Sequence, residues 1–270
     1  MKSTTWMFTL LLVASVTPLR AQIRWPEGKI AAVALTYDDA LGSQLQYAVP
    51  QLGAAGFKGT FFLDGDISPA DMRRWRDVQR AGHELGNHSL FHACPRDLLP
   101  KRTQYYTENY DVSRLLDEIA VMNDVLFGID GQESRTFSVP CSQTIVGGTD
   151  YTEALQRSGL VKYVRNGGDQ FNSVISSFER PDPFVVPSWG PLDGPDGRQL
   201  AAYVERVTKA RGLGVFQFHG VGGDYLAVSA DAHRELLDYL RKHPEVWVAT
   251  FREVMDHVAA QSRQTHAGDR

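Results

Sequence analysis

The run Ala34-Leu35-Thr36-Tyr37-Asp38-Asp39 closes an apolar segment that begins at Ile30 and stops abruptly at two adjacent carboxylates. An unbroken apolar stretch of this length reads as a strand covered on both faces, the kind found in a parallel sheet between layers of helix. Two neighbouring Asp side chains at the mouth of such a strand repel each other unless a cation or a proton separates them. Two other segments offer partners. His88-Ser89-Leu90-Phe91-His92 carries two imidazoles four positions apart, and the apolar run Val215 to Phe218 ends in His219.

Outward from the first strand, the chain alternates between strand and helix patterns. The spacing predicts a helix over Ser43–Ala55, stopped by Gly56, and a strand over Gly59–Leu63. A second helix, Ala70–Ala81, opens on a Ser68 cap with Pro69 at its first position and stops at Gly82. A short strand, His83–Gly86, leads into His88, and residues 93–109 have no clear period. The helix Asp111–Phe127 turns Leu115, Ile119, Met122 and Leu126 inward as a packing stripe. A strand at Arg135–Val139, a helix at Asp150–Ser158 and a strand at Leu160–Val164 follow. Residues 166–197 form a long Gly-, Pro- and Asp-rich loop with Val185-Val186 as a strand-like island. Helix Gln199–Ala210, strand Val215–Phe218, helix Ala230–Lys242 and strand Val246–Ala249 complete the series. Thr250 and Glu253 then make a capping box for the last helix. Such alternation implies a largely parallel sheet. No Gly-rich phosphate loop follows the first strand, which argues against a nucleotide fold and for closure into a barrel.

The 270 residues carry a formal net charge of -4, so nothing draws the chain to nucleic acid or anionic lipid, and no nucleic-acid partner is expected. Residues 1–21 read as a secretory signal peptide, with Lys2 as the positive start, Trp6 to Val16 as the apolar core and Pro18 to Ala21 as the cleavage region. That run is short for a membrane span, and no later stretch is long and apolar enough to cross. The expectation is therefore an exported protein, periplasmic or extracellular, without membrane insertion after cleavage. A single domain covers 22–260, and residues 261–270 are expected to be a polar, unstructured tail. In an oxidising compartment Cys94 and Cys141 can pair; two separate buried thiols are the alternative.

In barrels the reactive groups come from the C-terminal ends of several strands, where Asp38, Asp39, His88 and His219 all fall. The His-x-x-x-His spacing would put both imidazoles on one side of a helical turn. With one carboxylate they make a two-His, one-Asp set that leaves positions open for water and substrate, the arrangement of a metal-dependent hydrolase.

These segments resemble the polysaccharide deacetylases, carbohydrate esterases that share the NodB homology domain. Thr36-Tyr37-Asp38-Asp39 resembles the family's first motif and His88 to His92 its second, with Thr60-Phe61-Phe62 and His219 also in keeping, over about Ile30 to Val258. The resemblance implies a distorted (β/α) barrel of about seven strands. It also implies Asp38 as general base, His219 as general acid, and Asp39, His88 and His92 as ligands of one divalent metal, Zn²⁺ first and Co²⁺ or Ni²⁺ next. The substrate implied is an acetylated carbohydrate, cleaved at N-acetyl or O-acetyl groups, with the backbone N–H of Cys141, after Pro140, at the oxyanion. Two positions depart from the family pattern. Ser138 stands where an Arg normally orients the base, and Arg165 is the replacement expected. Gln217 stands where a Leu lines the acetyl pocket, leaving Phe218 or Trp189 to wall it; Trp189 could also stack on a sugar. Asp224 and Tyr225 lie close enough in sequence to His219 to orient it or meet substrate, and His83 reads as structural. The other readings are an amidohydrolase of the same fold acting on a small non-sugar amide, and a carbohydrate-binding protein that has lost catalysis.

Overall fold

The computed structural model describes residues 23–99, 104–176 and 182–268. The expected signal peptide, residues 1–21, lies outside the described residues. Strand β1 (Ala31–Asp38) is buried along its whole length and anchors the sheet. It runs parallel to β9 (Leu213–Phe218) on one edge. Its other edge is shared: β10 (Val246–Ala249) pairs with Ala31 to Ala34, and β2 (Thr60–Leu63) with Thr36 to Asp38. The two meet end to end, where the Phe251 N–H donates to Thr60 Oγ1 at 2.8 Å. From β2 the order continues through β3 (Glu84–Asn87), β4 (Thr136–Ser138), β7 (Tyr163–Asn166) and β8 (Val186–Pro187). Just past β8, the Trp189 N–H donates to the Val215 carbonyl, and the Gln217 N–H donates to that of Trp189, bringing the sheet round to β9. Eight strands thus fill seven positions of a nearly closed parallel barrel. The two short strands β5 (Ile145–Val146) and β6 (Thr149–Asp150) form a separate ribbon.

Helices α1 (Val49–Ala55), α2 (Pro69–Arg80), α3 (Val112–Asp130), α4 (Thr152–Ser158), α5 (Gly197–Ala210) and α6 (Ala230–Lys242) accompany the strands, and α7 (Phe251–Gly268) ends the described chain. Their starts follow the sequence cues. Ser68 and Asp111 cap α2 and α3, Asp196 and Gln199 form a capping box on α5, and Thr250 and Glu253 bond reciprocally at α7. One expectation needs correction: α7 continues to Gly268, past the point where an unstructured tail was expected. Among the described residues no helix is long and apolar enough to cross a membrane.

Alternation along the strands sorts residues between two cores. Leu35, Tyr37, Phe61, Phe216 and Phe218 pack outward in the cluster that includes α1, α2, α5 and α6 residues. Ala32, Ala34, Phe62, Val215 and Ala249 fill the barrel. The lumen is so full that a Cβ on Gly86 would lie 2.4 Å from the Phe62 ring. This parity turns Thr36 and Asp38 inward, and it carries Phe218, stacked on Phe216 and Tyr37, away from the strand mouths.

Two buried histidines couple the fold to pH. His233 sits between the Tyr37 hydroxyl (2.7 Å from Nε2) and Gln51 Oε1 (2.6 Å from Nδ1), while Gln51 Nε2 donates to the Ala230 carbonyl. An amide oxygen only accepts, so Nδ1 carries the hydrogen and the ring is neutral. Burial lowers its pKa to about 3. His83, whose Nδ1 accepts from the Gly59 N–H, is structural as expected, and burial lowers it to about 4. Both folded values lie below the unfolded one, so their stabilisation is complete above about pH 6.5 and is lost as pH falls toward 4 and 3. The loss is up to about 1.4 kcal/mol per histidine for each unit of pH. Urea midpoints should accordingly fall between pH 7 and pH 5, and His233→Gln should flatten that dependence.

Candidate metal and hydrolytic centre

β1 delivers Asp38 to the inside of the barrel, fully buried, and the chain then turns sharply, with Asp39 in the left-handed region at φ 74°. The turn separates the two carboxylates into different environments. Asp39 Oδ1 lies 3.2 Å from His88 Nε2 and 3.3 Å from His92 Nε2. Asp38 Oδ2 instead meets Arg165 Nη2 at 2.5 Å and accepts from Gln217 Nε2 at 3.2 Å. Ser138 Oγ completes this cluster, receiving a hydrogen bond from Arg165 and lying 3.4 Å from Asp38 Oδ1.

His88 and His92 do converge, with ring centroids 4.7 Å apart, but not on a helix. Residues 88–92 form a loop in which Ser89 (φ 61°) and His92 (φ 50°) are left-handed. Side chains hold it: Asn87 Oδ1 accepts from the Ser89 N–H, and Ser89 Oγ accepts from the His92 N–H. The helical-turn expectation is thus replaced by a side-chain-stapled loop that reaches the same convergence. His88 Nδ1 is 2.8 Å from the Ser138 carbonyl, which can only accept, so Nδ1 bears a hydrogen and Nε2 is the ring nitrogen turned to Asp39.

The family resemblance implies a metal, and the residues present fit one. Asp39, His88 and His92 bring their ligand atoms within 4.8 Å of one another. Asp39 Oδ1 is buried without a hydrogen-bond partner among the described residues. Ligands about 2.0–2.1 Å from a tetrahedral ion stand about 3.4 Å apart, close to the separations observed here. Burial alone would raise the Asp39 carboxyl, yet its contacts with His88 and the charges of His92 and His219 hold it well below the usual carboxylate range. Asp39 is thus an anion at any working pH, ready for a cation.

His219 follows β9, with Nε2 3.8 Å from Asp39 Oδ2; burial lowers its pKa against the pull of Asp38 and Asp39. Of the two neighbours named by the sequence, Tyr225 sets its ring beside that of His219, with centroids 6.4 Å apart, and Asp224 turns elsewhere. Asp224 Oδ2 accepts from the Ser43 N–H, and the Tyr225 hydroxyl donates to Asp39 Oδ2 at 2.9 Å. Trp189 is 9% exposed and packs on Tyr203 and Phe216, which makes it a core anchor rather than a sugar platform. With Phe218 also turned outward, neither residue walls a pocket at Asp38. Pro140 is buried at the start of a turn after β4, and Cys141 within that turn has φ 50°. Cys141 pairs with Cys94 in a disulfide.

Two polar groups here escaped the sequence reading. Ser188 Oγ accepts from Arg165 Nη1 at 2.9 Å and donates to the Asn166 carbonyl, fixing the guanidinium from behind. Asp64, just beyond β2, is buried, and burial together with the charge of Asp39 raises it to about 6. Its signal was available, since it follows an apolar strand as Asp38 does.

The disulfide ties the loop bearing His92 to the turn bearing Pro140 across 47 residues of sequence. Closing a loop of that size restricts the unfolded chain and contributes about 2–4 kcal/mol. Reduction, or replacement of both cysteines by Ala, should lower the denaturant midpoint by a corresponding amount.

A family model described as polysaccharide deacetylase matches residues 26–160. Among solved structures, a Mycobacterium smegmatis protein assigned to the polysaccharide deacetylases superposes with a TM-score of 0.65 at 19% identity, covering 89% of this chain and 94% of that one. Peptidoglycan deacetylase PdaC from Bacillus subtilis gives 0.55 at 18% identity, over 88% of this chain and 95% of its own. A Bacillus anthracis pseudoenzyme of the CE4 family gives 0.54 at 18% identity, over 84% and 66%. Likeness at such identities shows the fold alone. No curated protein matches the chain in sequence.

Proposed function

The chain belongs to the polysaccharide deacetylase family, and on that premise we propose that it is an exported, metal-dependent hydrolase that removes acetyl groups from a carbohydrate. The observation that carries this reading is the division of labour between two adjacent carboxylates. Asp39 Oδ1 faces two imidazole nitrogens and has no hydrogen-bond partner among the described residues, whereas Asp38 is held by Arg165 and Gln217. Export is supported by the apolar leader at 1–21 and by the Cys94–Cys141 disulfide.

Asp39, His88 and His92 would hold the divalent ion, Zn²⁺ in the first instance. Bound there, the ion polarises the acyl carbonyl and lowers the pKa of water. Asp38 takes the proton of the attacking water, with Arg165 and Gln217 fixing which lone pair is presented. His219, entering as the imidazolium, then gives its Nε2 proton to the departing amine or alkoxide; its lowered pKa makes that form the stronger acid and the scarcer one. The N–H of Cys141 is the backbone donor assigned to the developing oxyanion.

Acetate release measured over acetylated xylan, chitin oligomers, peptidoglycan fragments and small acetyl esters and amides, with Zn²⁺, Co²⁺ or Ni²⁺ added to chelator-treated protein, tests the reading. Activity on a carbohydrate that disappears with chelator supports it. Turnover of small amides alone would favour the amidohydrolase, and carbohydrate binding without turnover would favour a silent binding protein. His88→Ala should emerge from dialysis without metal, as read by elemental analysis; retention at the wild-type level would remove His88 from the ligand set.

A further inference from the structure

We propose that Tyr225 is a positioning residue of the metal centre, its hydroxyl locking Asp39 so that Oδ1 alone faces the cation. The inference rests on the metal reading above. It begins with the two oxygens of Asp39, which are not equivalent. Oδ1 is the buried atom between His88 and His92, with no hydrogen-bond partner among the described residues, while Oδ2 accepts from the Tyr225 hydroxyl at 2.9 Å. A carboxylate with both oxygens free can swing or chelate through both. One whose second oxygen carries a hydrogen bond presents the first in a fixed direction, leaving the remaining positions for water and substrate.

The loop that delivers Tyr225 is built at a cost. Asp224 (φ 60°) and Leu226 (φ 46°), on either side of Tyr225, are both left-handed, a conformation that L side chains adopt only where the surroundings enforce it. The enforcing bonds are visible. The Gly220 N–H donates to the Tyr225 carbonyl, the Val228 N–H to that of Gly220, and the Gly222 N–H to that of Val228. Asp224 Oδ2 accepts from the Ser43 N–H at 2.8 Å, and Ser43 Oγ accepts from the Val221 N–H at 3.2 Å, pinning the loop to the segment that follows Asp39. The turn is tight enough that a Cβ on Gly220 would lie 2.1 Å from the Gly223 carbonyl oxygen. Packing does not explain this investment, because Tyr225 remains 54% exposed. What the loop secures is the Tyr225 side chain, whose ring lies beside that of His219 and whose hydroxyl reaches Asp39 Oδ2.

The test uses the full chain stripped of metal, with Zn²⁺ titrated against a chromophoric chelator and Co²⁺ followed by its visible absorption. Tyr225→Phe should bind Zn²⁺ about 10- to 100-fold more weakly than wild type, the usual effect of losing a partner of a metal ligand. Its Co²⁺ spectrum should change, and its metal-free melting temperature should not. Leu226→Ala, in the same loop, should match wild type in both metal readouts. Wild-type Zn²⁺ affinity and Co²⁺ spectrum in Tyr225→Phe, or an equal loss in Leu226→Ala, would overturn the role of the hydroxyl while leaving the metal reading standing. Wild-type protein that takes up neither ion would overturn the metal reading, and the proposal with it.

Discussion

Asp38→Asn should reduce acetate release by about 10²- to 10⁴-fold, the range that general acid–base groups contribute, while leaving metal content near wild type. Asn has the shape of Asp and can still accept from Arg165, but it cannot take up a proton from water. The prediction is sharp because Asp38 and Asp39 are adjacent in sequence yet differ in surroundings. His88 Nε2 is 3.9 Å from Asp38 Oδ2 but 3.2 Å from Asp39 Oδ1, so a cation on the imidazoles would be held through Asp39. Asp39→Asn should therefore show the opposite pattern, with metal lost first and activity lost in consequence. Elemental analysis beside steady-state rates separates the two. If Asp38→Asn loses metal as fully as His88→Ala, the carboxylates share the cation and the division of roles fails. The Asn variant leaves the buried Arg165 charge unpaired, so rates belong with melting temperatures, measured where both proteins are folded.

How much of this was legible beforehand varied with the kind of physics involved. The first strand was readable because an uninterrupted apolar run has one economical explanation, and its polar terminus marked the site. Some helices were readable from their caps, as Ser68 and Thr250 show, and Val112–Asp130 from its inward stripe. The His88–His92 pair was found for an incomplete reason: the spacing has helical period, but Asn87 and Ser89 offer local side-chain bonds that compete with helix, and the loop wins. The sharing of one β1 edge by β10 and β2 left no trace in sequence, since it depends on how strands of four residues abut. Trp189 was ambiguous because a loop Trp can face either way, and only the pairing of its backbone with β9 turns the ring into the core. Tyr225 carried no local signature for contacting Asp39, which lies 186 residues away.

Arg165 is the other place where a large effect is expected. Ser138 and Arg165 are direct register partners on β4 and β7, both buried, and the small Ser side chain leaves the lumen open for the guanidinium to reach Asp38 Oδ2. The arginine that would otherwise come from β4 is thus supplied by the next strand, backed by Ser188. Among the described residues, Arg165→Ser removes the only guanidinium shown bonding to Asp38, and breaking such a buried pair from one side costs about 3–5 kcal/mol. Activity should fall as well, because Asp38 loses both its charge partner and its orientation. Stability and orientation can be told apart by moving the charge back. The double variant Ser138→Arg, Arg165→Ser places one guanidinium on the neighbouring strand and frees the space it needs. It should recover part of both the melting temperature and the rate lost in Arg165→Ser. Ser138→Arg alone should be worse than wild type, because it crowds two guanidinium groups into a filled lumen, where overpacking costs about 1–3 kcal/mol before like-charge repulsion is added. Full activity in Arg165→Ser would mean that Gln217 and Ser138 suffice to hold Asp38. Recovered stability without recovered rate would mean that the strand supplying the arginine matters to the geometry of the base, not only to its charge.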